Sequence, residues 1–280
     1  MAERHHSTWR LFLYSLPSIT LAALGLPLAV HLPNYYAEAM GLGLTTVGAA
    51  FFLARMWDVV VDPLLGQMSD KYKTRWGRRR PWVVASAPIL MIATYFVFIP
   101  GRGLPTLNWI LALFGIDPML AVTETYLVGG LFLLYLGFTM LLLAHMSWGA
   151  ELSSDYNQRS RIQGWREGLS ILGVPLVLML PMVIQFVGGV DAKHYSVEII
   201  GWFIIIVTPI AALIAVSSMG EYESKPEAHI SFKEAVGPLL KNNGLRRLVI
   251  ADLASGFSGS ALGAMFIFVA TQVWQVGGYT

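Results

Sequence analysis

Apolar residues fall along this chain in long blocks separated by short polar stretches. Crossing a hydrocarbon core takes about 20 predominantly apolar residues in a helix. The blocks near 12–36, 44–67, 82–100, 126–150, 167–187, 198–218 and 247–273 are of that order, and predict seven membrane-crossing helices. A further apolar stretch, LPTLNWILALFGIDPMLAV at 104–122, contains prolines and Asp117. It is predicted as an interfacial or re-entrant insertion at the outer face. The other long interruption, EYESKPEAHISFKEAVGPLLKNNGLRR at 221–247, is polar and follows the sixth span.

Composition agrees with that pattern. Hydrophobic residues make up 55% of the 280 residues and charged residues only 13%, about half the usual globular share of charge. The net charge of +2 carries little information, but its placement does. With the N-terminus in the cytoplasm and sides alternating, 16 of the 19 Lys and Arg fall in cytoplasmic segments. Arg102 and Lys193 fall outside, and Arg55 lies within a span. That bias sets the expected orientation. It also disfavours 104–122 as an eighth span, which would carry Arg159 and Arg161 to the outer side. The chain has no cysteine, so disulfide and thiolate chemistry are excluded. Its start, MAERHHSTWR, lacks a cleavable signal pattern.

Three charges interrupt the second span: Arg55, Asp58 and Asp62, within LTTVGAAFFLARMWDVVVDPLLGQ. A charge near the bilayer centre costs about 2.5–3.5 kcal/mol on insertion scales, and such residues are usually functional. Offsets of three and seven residues place all three on one stripe of a helix. Two carboxylates beside a guanidinium form an ion site with its own counter-charge. Hard cations take oxygen ligands, and two adjacent carboxylates can instead share a proton. Pro63 cannot donate to the carbonyl of Val59, which leaves a further oxygen. The competing reading is a structural ion pair between helices, although that would need only one carboxylate.

The block ARMWDVVVDPLLGQMSDKYKTRWGRRRPW (54–82) resembles the glycoside–pentoside–hexuronide:cation symporters, the melibiose permease family of the major facilitator superfamily. The matched elements include Arg55, Trp57, Asp58, Asp62, Pro63, Gly66, Arg75, Gly77, Arg78 and Pro81. A second block, WGAELSSDYNQRSRIQGWRE (148–167), resembles that family's passage from its fourth helix into its fifth. The resemblance implies an all-α membrane protein with the major facilitator N-terminal six-helix bundle (1–220), a cytoplasmic connector (221–246) and the first helix of an incomplete C-terminal bundle (247–280). The chain is expected to be about half of a full-length member.

The resemblance further implies that Asp58 and Asp62 bind the coupling cation, Na+ or H+, with Thr139 completing the site. No cofactor other than the cation is expected. It implies a substrate contact at Arg166. Characterised sugar members carry two sugar-binding acids, and Ala22 and Leu142 stand at those positions here. An asparagine common in sodium-using members is replaced by Val61. The cation half of the family pattern is therefore better kept than the substrate half.

Other residues carry two readings each. His145 on the fourth span can protonate or contact substrate, or it can be a packed core histidine. Tyr35 in GLPLAVHLPNYY offers a hydroxyl or a stacking face to a ligand, or it belongs to an interfacial aromatic belt. Pro27 and Pro33 predict a kink in that first span. In GQMSDKYKTRWGRRR, six cations surround Asp70, and Gly66 permits close helix approach. With Arg78 and Glu151, this loop is read as an inner gate latch, or as an anchor to anionic lipid.

No Walker loop, metal-spaced His/Cys set or nucleophile elbow is present, which excludes the common pump and hydrolase patterns. The expected activity is cation-coupled symport of a small organic solute, a sugar or glycoside, by alternating access across a cell inner membrane. Expected partners are that solute, the bilayer and the missing bundle, with no nucleic acid. Two alternatives stay open: a truncated, non-transporting membrane fragment or assembly module, and a same-fold transporter of an amphiphile such as a lysolipid.

Overall fold

The protein is described by a computed structural model over residues 6–100, 123–188, 195–221 and 241–272. The insertion at 104–122 and most of the connector lie outside the described residues. The described residues are helical throughout, joined by short turns: α1 (Thr8–Ser15), α2 (Pro17–Asn34), a π-helical turn (Tyr35–Ala39), α3 (Leu44–Lys71), α4 (Arg80–Phe98), α5 (Glu124–Glu151), α6 (Tyr156–Gly188), α7 (Ser196–Ser218) and α8 (Asn243–Gln272). Six of these segments are long and apolar enough to cross a membrane. They correspond to the first six predicted spans, with α1, α2 and the π turn together forming the first. The chain divides into two compact units, Met1–Ser224 and Lys225–Thr280. Helix α8 belongs to the second unit, and its sequence carries the seventh predicted span.

In the first unit, α4 packs along α5 and against α7, α3 packs on α5, and α2 packs on α6. The core is a continuous set of buried residues including Tyr14, Leu24, Leu90, Leu131, Leu134, Trp148 and Ile204. Small residues set the helix spacing. A Cβ on Gly137 would stand 2.9 Å from Leu90 Cγ, and one on Gly173 would stand 2.5 Å from the backbone oxygen of Ile19. In hydrocarbon, helix association depends on such close contact, because lipid tails are as apolar as leucine.

Two local features differ from the sequence expectation. The first span is interrupted at Leu16–Pro17, where the sequence signalled no boundary, while the helix runs on through Pro27 and Pro33. There the Leu16 N–H donates to Leu13 O at 3.4 Å and the Ile19 N–H to Leu16 O at 3.0 Å, which are three-residue bonds. Pro17 opens α2 at a position where no intrahelical N–H is needed. The helix continues through Pro27 and Pro33 and then widens, with the Met40 N–H donating to Tyr35 O at 3.1 Å. Second, α6 begins at Tyr156, eleven residues before the predicted span. Its polar first turns are helical because one side of them packs inward through Gln158, Ile162 and Arg166.

The α2–α6 contact gives a direct test. Gly173→Ala places a methyl against a backbone carbonyl that cannot rotate away, at a cost of about 1–3 kcal/mol. Gly25→Ala, with open space around its Cβ position, is expected to be neutral or stabilising by up to about 1 kcal/mol. Thermal unfolding of the two variants in detergent compares them.

Candidate functional site

Helix α3 delivers Arg55, Asp58 and Asp62 to one side, and α5 meets them with Phe132, Tyr135 and Thr139. The two helices are parallel neighbours, so successive turns of one face successive turns of the other. Thr139, itself buried, donates its hydroxyl to Asp58 Oδ1 at 2.8 Å. The Arg55 Nη1 stands 3.6 Å from the other carboxylate oxygen of Asp58, and its guanidinium lies 4.9 Å over the Tyr135 ring. Trp57 stacks on Phe132 at 5.1 Å and 7°. A cation over an aromatic face is a favourable placement for a guanidinium that must leave water.

Asp62 lies one turn further along, close enough to interact with Asp58, Thr139 and Arg55. Its Oδ1 is shielded from solvent and receives no hydrogen bond among the described residues. A carboxylate oxygen in that condition is costly unless it takes a proton or a cation. Thr139 thus joins the two aspartates, and the three residues named from sequence stand together near the middle of their helices. With the Thr139 hydroxyl committed as a donor to Asp58, its lone pairs remain available as acceptors.

This stripe stands on a thinly covered face. Only 22% of the most apolar window of α3 and 11% of that of α6 is buried, against 44–61% for the other four spans. Yet these same two helices carry charge outward. The Arg55 side chain is 63% exposed, and Glu167 is exposed on α6.

The substrate candidates do not gather in one place. His145 is fully buried between α1 and α5, held by a reciprocal pair of bonds. Tyr14 Oη donates to the His145 carbonyl at 2.5 Å, and His145 Nε2 stands 2.9 Å from the Tyr14 carbonyl. A carbonyl only accepts, so Nε2 carries the proton. The Tyr14 and His145 rings pack 4.6 Å apart. Arg166 reaches the same neighbourhood from α6. It is buried, with Nη1 donating to Gln163 Oε1 at 2.7 Å and Nε unpartnered. Gly149 makes room for this meeting, since a Cβ there would stand 2.9 Å from Tyr14 Oη and 3.7 Å from Arg166 Cδ. Tyr35 lies at the other end of the first span, about 30 Å from Tyr14 along a helical rise. It packs edge-on against Tyr36, which donates to the Val97 carbonyl at 2.9 Å. Ala22 packs near Gly173 of α6, and Leu142 packs against the core.

At the end of the bundle that carries the basic loops, α3, α4 and α5 meet in a charge cluster. Arg78 Nη2 donates to Glu151 Oε1 at 2.6 Å, and Arg79 donates to the same oxygen through Nε at 3.1 Å and Nη2 at 3.0 Å. Arg79 also pairs with Asp70 through Nη2 and donates to Ser69 Oγ at 2.6 Å. Asp70, Arg78 and Glu151 are therefore brought into one network, with Arg79 as the joint between them. Gly66 lies nearby but has open space at its Cβ position. The Ser69 hydroxyl donates to the Gly66 carbonyl at 2.9 Å. Sequence reading missed Arg79 and Ser69 as cluster members. Among three consecutive arginines only packing selects which reaches inward, and Arg79 is the buried one, at 6% exposure.

Comparison with known proteins agrees with this architecture. A family model described as MFS/sugar transport protein matches residues 13–279. An uncharacterized symporter of Synechocystis sp. is 25% identical over 291 residues, covering 100% of this chain and 50% of the relative. The inner membrane symporter YicJ of Escherichia coli is 30% identical over 163 residues, covering 57% of this chain and 32% of YicJ. A lactose permease of Leuconostoc lactis is 26% identical over 236 residues, covering 80% of this chain and 32% of the permease. The chain spans half or less of the length of these relatives. Its helical fold and its motif blocks agree with these matches, and the chain belongs to the MFS/sugar transport protein family, within the glycoside–pentoside–hexuronide:cation symporters.

Proposed function

We propose that this chain supplies the cation-coupling half of a secondary symporter for a small organic solute, a sugar or glycoside, working by alternating access. The observation that carries the proposal is the Thr139–Asp58–Arg55 contact, with Asp62 and its unpartnered oxygen beside it. Asp58 and Asp62 offer the coupling cation anionic oxygens, and Thr139 offers a neutral one. Either Na+ or H+ fits such a donor set, because carboxylates serve as hard-cation ligands and as proton acceptors. Arg55 balances the negative charge while the site is empty. Cation binding then weakens its hold on Asp58, a route by which occupancy can be felt across the α3–α5 contact.

The exposed faces of α3 and α6 support the transport reading. Charges at Arg55 and Glu167 would be expensive against lipid. They are accounted for if these faces line a water-filled pathway against a second bundle, in keeping with the twofold length of the relative that matches the whole chain. Arg166 and Tyr35 are the residues proposed to face the solute route, and His145, buried in its pair with Tyr14, shapes it from behind. Arg166 is the strongest of the three, since its Nε is a buried donor without a partner. The charge cluster at Asp70, Arg78, Arg79 and Glu151 serves as a latch that steadies one state. In relatives the printed functions run in the same direction, including an isoprimeverose transporter and a putative glycoside/cation symporter.

Two outcomes test the cation site in the complete gene product reconstituted in vesicles. Asp58→Asn and Asp62→Asn, singly or together, should reduce gradient-driven accumulation at least about tenfold while solute exchange at equal cation persists. Wild-type accumulation in the double variant would sink the proposal. Thr139→Val removes one hydrogen bond to a charged group, worth about 1.5–3 kcal/mol, and Thr139→Ser keeps it. The half-saturating cation concentration should therefore rise about tenfold or more for valine and stay near wild type for serine.

A further inference from the structure

The three backbone N–H groups that open α4 converge on one carboxylate from the far end of the unit. The Arg78 and Arg79 N–H groups donate to Glu221 Oε1 at 2.6 and 2.8 Å, and the Arg80 N–H donates to Oε2 at 3.3 Å. Arg79 caps α4 and Arg80 opens it, and the N-terminal end of a helix presents amides its own turns do not use and carries about half a positive charge. A carboxylate placed there answers both needs. Its approach depends on Gly77, whose φ is +117°. A Cβ on Gly77 would stand 2.0 Å from Glu221 Oε2 and 2.6 Å from its Cδ. The turn is shaped in advance by reciprocal bonds between Thr74 and Gly77, at 2.9 and 3.1 Å, and by Thr74 Oγ1 donating to the Gly77 carbonyl at 2.9 Å.

Fixing this backbone fixes where three consecutive arginines point. Arg78 and Arg79 reach Glu151, Arg79 also reaches Asp70 and Ser69, and Arg80 Nη2 donates to the Val216 carbonyl of α7 at 2.6 Å. One tripeptide thereby ties the ends of α3, α4, α5 and α7. Glu221 stands at the root of the connector and is the last described residue before it. We propose that Glu221 is the positioning residue of the latch, its carboxylate holding Arg78 and Arg79 in place through their backbone amides. Loss of the Glu221 carboxylate frees the turn ahead of α4 and loosens the hold of both guanidinium groups on Glu151. The proposal rests on reading the charge cluster as a latch.

The chain has no native cysteine, so one introduced thiol is a unique reporter. Ser69 is 3% exposed beneath Arg79, and Ser69→Cys is expected to react slowly with a maleimide in membranes. Adding Glu221→Ala or Gly77→Ala should each raise that rate about tenfold, the kinetic equivalent of losing one strong charge-assisted contact. Because both break the same contact, the two together should raise it no further. Glu221→Gln keeps an acceptor oxygen and should restore most of the protection. A second reporter, Ser18→Cys in α2, should stay protected throughout. An unchanged rate at position 69, additive effects, or an equal rise at position 18 would overturn the proposal. The labelling needs no transported solute, so it fails separately from the transport reading.

Discussion

The contact on which the rest depends is the one between Asp58 and Thr139, with Arg55 at its side. A charge in hydrocarbon must be paired, hydrogen-bonded or wet, and each of these solutions is visible here. Thr139 supplies the hydrogen bond, Arg55 the counter-charge, and the thinly covered face of α3 an approach for water. Pairing could have been complete, and it is not: Asp62 retains an unpartnered oxygen. A purely structural ion pair would leave no such oxygen. In the proposed reading, two acids with one arginine make a set whose charge closes when a cation arrives.

Around this centre the unit has a loose face and a tight one. α4, α5 and α7 pack with glycines at the crossing points, and Tyr14 and His145 lock the first span to α5 by two bonds in opposite directions. α3 and α6 flank that body with most of their apolar surface uncovered. A rigid back with charged, open flanks is the arrangement expected of one bundle that rocks against another. In the proposed reading the basic end is the stop for such a motion, since its cluster joins three helices through side chains that can part without unfolding any of them.

Much of this was legible in the sequence. Hydropathy located the six spans of the first unit, because length and apolarity alone are what a bilayer demands. Helical spacing put Arg55, Asp58 and Asp62 on one stripe, and the family resemblance supplied Thr139. What escaped were contacts between residues distant in sequence. Glu221 and Arg78 are 143 positions apart, and no local pattern connects them. His145 carried two readings because a histidine in an apolar helix looks the same from sequence whether or not a tyrosine stands opposite. The boundary where Pro17 begins a new helix was also missed, because the long apolar run around it shows no interruption. The early start of α6 was hidden because its first turns are polar on the outside and pack inward on one side only.

The central claim is that Asp58, Asp62 and Thr139 make solute movement pay in cations. A reversal-potential measurement on the complete gene product in vesicles tests it most directly. With a fixed solute gradient, the imposed cation gradient is varied until net solute flux stops. Coupling predicts that the null point moves with the cation gradient in a fixed integer ratio, and that replacing both aspartates abolishes the dependence. A null point that sits at equal solute concentrations whatever the cation gradient would contradict the account.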